Sequence, residues 1–132
     1  MKSARKMKRN AKSRPVAAGK KQIERVRRMC LALPRAVEKL SHGEPTFFAN
    51  QRVFVMFSNN HHCDGHVAVW LPVTEGARDE LVRSEPGKFY VPPYVGVKGW
   101  MGIELATVSD DELGFYVCEA HRMITAKKPR AR

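Results

Sequence analysis

Four side chains within six residues have metal-ligating chemistry: His61, His62, Cys63 and His66, in the run Ser-Asn-Asn-His-His-Cys-Asp-Gly-His. Imidazole and thiolate suit zinc or copper. Adjacent ligands cannot close a tetrahedron without help from elsewhere, and no paired spacing such as Cys-x-x-Cys is present. The run therefore reads as a polar hairpin loop, in which Asp64-Gly65 supplies the positive-φ residues of a tight return. No cofactor is expected. His42 and Glu44 form a possible base and acid, but a lone pair of this kind in a turn is ordinarily solvated. The chain has no glycine-rich phosphate loop, His-Glu-x-x-His, nucleophile elbow or carboxylate pair, so no enzyme is predicted.

The remaining chemistry is cationic. The formal net charge of +11 divides unevenly along the 132 residues. Eight Lys or Arg and no acid fall in the first twenty residues, and four more cations close the chain. Residues 21–126 carry twelve basic residues against all thirteen acids. Phosphate attraction is thus expected first from the ends, which lack the apolar residues to fold alone. The organisation predicted is a disordered basic arm over 1–20, one domain over 21–126 and a basic tail over 127–132. Three widely spaced cysteines, Cys30, Cys63 and Cys118, suggest no disulfide framework and fit a reducing cytoplasm. No apolar run approaches a membrane span, and no membrane partner is expected.

The stretch that must position everything else runs over residues 86–105. Residues 89–91 are β-capable, and Pro92-Pro93 then forces a turn. Residues 100–105 alternate, with Met101, Ile103 and Leu105 on one face and Trp100, Gly102 and Glu104 on the other. Upstream, a helical period from about residue 21 aligns Ile23, Val26, Met29, Cys30 and Leu33, while Arg25, Arg27 and Arg28 point away; Pro34 ends it. Residues 35–46 read as a connection containing the His42-Gly43-Glu44-Pro45 turn. Residues 47–57 read as a strand pair turning at 49–51. Val53, Val55 and Phe57 are expected on one face, and Arg52, Phe54 and Met56 on the other. Residues 67–71 return, and Pro72 stops them. Thr74 is expected to cap a helix over 75–83 that packs Ala77, Leu81 and Val82 inward. Ser109-Asp110-Asp111-Glu112 is a capping box opening a last helix that buries Leu113, Val117, Ala120, His121 and Ile124. The order α-β-β-β-α-β-β-α implies an α+β fold: a mainly antiparallel sheet of about five strands with helices largely on one face.

Several of these segments resemble the MmcQ/YjbR family. They are Leu31-Ala32-Leu33-Pro34, Gly43-Glu44-Pro45-Thr46-Phe47, Pro86-Gly87-Lys88-Phe89-Tyr90, Pro93-Tyr94 and Gly99-Trp100-Met101-Gly102-Ile103, followed by a closing helix that ends at Lys127-Lys128. The resemblance spans about residues 21–128. It implies a small bacterial protein with a compact frataxin-like, double-wing α+β fold and DNA binding; the His-His-Cys loop and the basic arm depart from the family pattern. A metal role in the frataxin manner would need an acidic ridge, and the first helix offers only Glu24.

The function expected is non-catalytic, weak and sequence-tolerant nucleic-acid binding. An uncovered sheet face bearing Arg52, Phe54, Met56, His66, Trp70 and Trp100 would stack bases, and the chain ends would neutralise phosphates. The candidate contacts are Lys6, Lys8, Arg9, Lys12, Arg14, Arg52, Trp70, Lys88, Lys98 and Trp100. The alternative is a protein-interaction or small-ligand module using the Pro92-Pro93-Tyr94 turn and the tryptophan face.

Overall fold

The structure, a computed structural model, describes residues 14–127, with side chains described from residue 19. Helix α1 (Arg14–Leu31) is followed by strands β1 (Val37–Ser41), β2 (Glu44–Ala49), β3 (Arg52–Asn59) and β4 (Val67–Leu71). Then come α2 (Ala77–Ser84), β5 (Phe89–Tyr90), β6 (Met101–Glu104) and α3 (Asp110–Thr125). The strands form one antiparallel sheet in the order β1-β2-β3-β4-β6-β5. The α+β class, the antiparallel sheet and the three helices agree with the sequence reading.

The sheet has six strands rather than five, because residues 35–46 are not a bare connection. β1 occupies them as an edge strand whose Val37 and Leu40 stay exposed, so it carries little period-two signal. His42 and Gly43 close its hairpin with φ of 55° and 82°, the positive pair that a two-residue turn matching strand twist requires. Asn50 and Gln51 repeat the device between β2 and β3 with φ of 53° and 66°, within the turn expected at 49–51.

The arm boundary at residue 20 is also corrected, since α1 begins at Arg14. Pro15 lies in its first turn, where the missing N–H costs nothing, and the Ala and Lys residues that follow are good helix formers. The cations expected at Lys6, Lys8, Arg9 and Lys12 lie outside the described residues. Arg14 is the first residue of α1.

α1 and α3 cover one face of the sheet. Their Val26, Cys30, Leu113, Val117 and Ile124 form a single core with Phe47, Val55, Phe57, Val69, Leu71, Met101 and Ile103. Ser109 caps α3 by accepting from the Glu112 N–H. Thr74 does not cap α2; its carbonyl accepts from the Ala77 N–H, and Gly76 at φ 87° takes the cap position. Arg25 is not directed away from the fold. Its guanidinium, 16% exposed, donates to the Leu105 and Val108 carbonyls and to Asp110 Oδ1, each at 2.6 Å, joining α1 to the start of α3.

A bulge separates the two faces differently from simple alternation. Phe47 pairs with Val55 and Phe48 with Val53, which leaves Phe54 as the extra residue. Phe54 is buried, with its ring edge-on to His121 at 5.2 Å, while His121 Nε2 donates to the Pro34 carbonyl at 2.8 Å. Phe54 therefore belongs to the core, and Val53 joins Met56 in lining a surface cavity. The strict alternation assumed for residues 52–57 fails at this one inserted residue.

Candidate functional site

The sheet face opposite α1 and α3 is built around a glycine. Gly102 of β6 pairs with Trp70 of β4 on one side and with Tyr90 of β5 on the other. With no side chain between them, the Trp70 indole N–H donates across to the Tyr90 hydroxyl at 2.8 Å. Tyr90 in turn stacks on His66, with ring centroids 4.0 Å apart and planes at 11°, and His66 Nδ1 pairs with the Glu104 carboxylate. Burial pushes the Tyr90 phenol up from its ordinary range, so it stays protonated beside the indole donor. Trp70 and Trp100 are only 4% and 9% exposed. The expected display of open indole faces is corrected: loops roof this face.

One roof is the turn after Pro92-Pro93. Tyr94 adopts φ 64°, ψ −67°, and the Val95 N–H donates to the Pro93 carbonyl at 2.6 Å, which defines a γ-turn in a strained region for an L-residue. The turn is held from α2, where Arg78 Nη1 donates to the carbonyls of Gly96 at 2.6 Å and Trp100 at 3.3 Å. Tyr94 is 66% exposed, and its hydroxyl lies 3.4 Å from His61 Nε2 and 3.2 Å from His62 Nε2. Ser41 and His42 of the β1–β2 hairpin also line this region.

Two adjoining cavities lie beneath these turns. The first, about 450 Å³, has Met56, Trp70, Tyr94 and Val95 as apolar walls, with Glu44, Ser58 and His61 among its polar lining. The second, about 570 Å³, shares Ser41, His42, Thr46, Met56 and Val95 with it and extends along Trp100 toward the end of α3. Arg52 from β3, Lys98 from the turn and Lys127 beyond α3 converge on this second cavity, and none of the described residues lining it is acidic.

The candidate contacts thus separate. Arg52, Trp70, Lys98 and Trp100 line the cavities, and Lys127, assigned from sequence only to a tail, joins them. Lys88 does not. Its Nζ lies 3.1 Å from Glu85 and 3.2 Å from Glu112, and those carboxylates hold its pKa up. The loop ligands separate too: His61 and His62 face Tyr94, His66 faces Glu104 and Tyr90, and Cys63 is exposed. Among the described residues, no group of three His, Cys, Asp or Glu side chains is placed to hold a metal ion. Sequence reasoning missed Ser58 and Glu44 as cavity residues, although the turn at 42–45 and the alternation after Met56 pointed at both positions.

No helix among the described residues is long and apolar enough to cross a membrane. No curated protein matches the chain. The crystal structure of the Deinococcus radiodurans protein DR2400, with a DUF419 domain, is similar in fold. Its TM-score is 0.69 and its identity 19%, over 83% of this chain and 82% of that one. The YjbR family model matches residues 31–123, taking in all six strands, α2 and most of α3. On that match, the chain belongs to the YjbR family.

Proposed function

We propose that this chain is a non-catalytic nucleic-acid-binding protein, acting in the cytoplasm, whose folded contribution to binding is the cationic cavity between β3, the 95–98 turn and the end of α3. The observation that carries this reading is the convergence of Arg52, Lys98 and Lys127 from three separate segments on a lining without acids. A phosphodiester backbone laid there gains Coulomb attraction and releases counterions. Base stacking on open indoles has no part in this version, since both tryptophans are enclosed. The binding is weak, tolerant of sequence and steeply dependent on salt. The basic residues before α1 would add to it by neutralising further phosphates.

Fluorescence anisotropy of a labelled single-stranded oligonucleotide across a salt series tests this with the full chain. Lys98→Glu/Lys127→Glu is expected to weaken binding at least about tenfold at low salt and to flatten the slope of log K against log salt by about 0.7 for each phosphate that is no longer neutralised. Unchanged affinity in the double variant would remove the folded domain from the interface. The apolar-walled first cavity favours the second reading, a small-ligand module, whose binding would survive high salt.

A further inference from the structure

The first cavity differs from its neighbour in charge. No lysine or arginine is among the described residues that line it, and its single acid is Glu44. The Glu44 carboxylate takes only a long hydrogen bond, from the Asn59 N–H at 3.4 Å. Burial holds that carboxyl above its ordinary range, the Asn59 N–H and the nearby His61, also in the lining, opposing. Next to Asn59 is Ser58, 2% exposed, whose buried Oγ has no hydrogen-bond partner among the described residues. An orphaned hydroxyl beside a cavity is uncommon in a folded protein and points to a group that completes it, and because this Oγ is shielded from solvent, that group must displace a neighbouring side chain to reach it. Met56, two residues before Ser58 on β3, and its cross-strand partner Trp70 continue the lining as apolar surface, and Tyr94 is kept at the rim by its strained γ-turn. Strain of this kind persists where a side chain must be held in place.

We propose that this cavity binds a small organic amine with a flat apolar body, its ammonium group held by the Glu44 carboxylate and the Ser58 hydroxyl and its body lying against Met56, Trp70 and Tyr94. The ammonium donates to both oxygens, satisfying the hydroxyl and offsetting the cost of the partly buried carboxylate. The aromatic walls offer flat surface against which the apolar body packs. The volume of about 450 Å³ falls in the range of small-molecule sites. Such a site rests on the small-ligand reading and lies beside the cationic cavity, with which it shares Met56 and Val95.

The test uses three probes of one shape with the full chain at neutral pH: phenethylamine, 2-phenylethanol and phenylacetate. Affinity is read by calorimetry, and the site by the amide shifts of Ser58 and Asn59. Phenethylamine is expected to bind at least about tenfold tighter than the alcohol and to shift both amides, with phenylacetate weakest. Glu44→Gln should cost the amine about tenfold or more, and Ser58→Ala a few-fold, with folding checked by circular dichroism. Equal binding of amine and alcohol, an unchanged affinity in Glu44→Gln, or no amine binding up to about 10 mM would each overturn the proposal. In Lys98→Glu/Lys127→Glu the amine is expected to keep its preference over the alcohol, and in Glu44→Gln the oligonucleotide to keep its steep salt slope, so the two readings can fail separately.

Discussion

A Cβ added at Gly102 would lie 2.6 Å from Tyr90 Cε1 and Cζ, inside any real contact distance. The glycine is therefore a spacer that lets the Tyr90 ring lie over β6 and meet the Trp70 indole. Gly102→Ala forces that ring aside. The expected cost is about 1–3 kcal/mol in denaturant unfolding, typical of overpacking, with a shifted indole N–H resonance for Trp70. A variant with wild-type stability and an unmoved resonance would show that the ring is not confined there. The glycine was visible in sequence as part of Gly-Trp-Met-Gly, but its reason was not. Only the register that sets Tyr90 opposite Gly102, a long-range pairing, supplies it. Phe54 shows the same limit. A single inserted residue sends Phe54 into the core and Val53 to the surface cavity while Val55, Met56 and Phe57 keep their expected sides, and no local pattern announces it.

Strands and helices with strong periodicity were legible, and the weakly buried edge was not. β1 is tied to α1 through one bidentate pair, Arg27 Nε and Nη2 to Glu38 Oε1 and Oε2 at 2.7 and 2.8 Å. The Arg27 guanidinium holds the Glu38 carboxyl below its ordinary 4.5. A lowered folded pKa means that the pair's contribution is full above about pH 4.5 and is lost as pH falls through the folded value. Glu44, raised by burial, runs the other way: its contribution is present at low pH and lost as pH rises through its raised value. Urea midpoints measured from about pH 3 to pH 7 separate the two. Glu38→Gln should reduce the loss of stability on the acid side, and Glu44→Gln should reduce the loss on going from acid to neutral pH. Parallel curves for wild type and Glu38→Gln below about pH 4.5 would mean that the pair is too exposed to matter.

At the scale of the whole molecule, the division of charge was readable because it needs only counting, but it drew the domain boundary in the wrong place. Basic residues without acids suggested an arm up to residue 20, whereas α1 starts at Arg14 and buries Gly19 against the Asn59 side chain at the end of β3. Charge marks solvation, and a helix whose exposed faces are cationic looks like an arm until its packing is known. Dividing the chain into arm and domain therefore cuts through a helix. A fragment over 21–127 removes seven of the eighteen residues of α1 together with the turn that meets β3. Because helix formation is cooperative, the rest of α1 is left weakened at its free end, near Val26 and the Arg25 anchor to α3. A fragment over 14–127 should melt close to the full chain, and the 21–127 fragment should lose several degrees, at about 4 °C for each kcal/mol. Equal melting temperatures would show that residues 14–20 contribute nothing to the fold. If the shorter fragment melts early, loss of nucleic-acid binding in it would report a damaged helix, and the contribution of the basic residues before α1 must be read from charge substitutions in the intact chain.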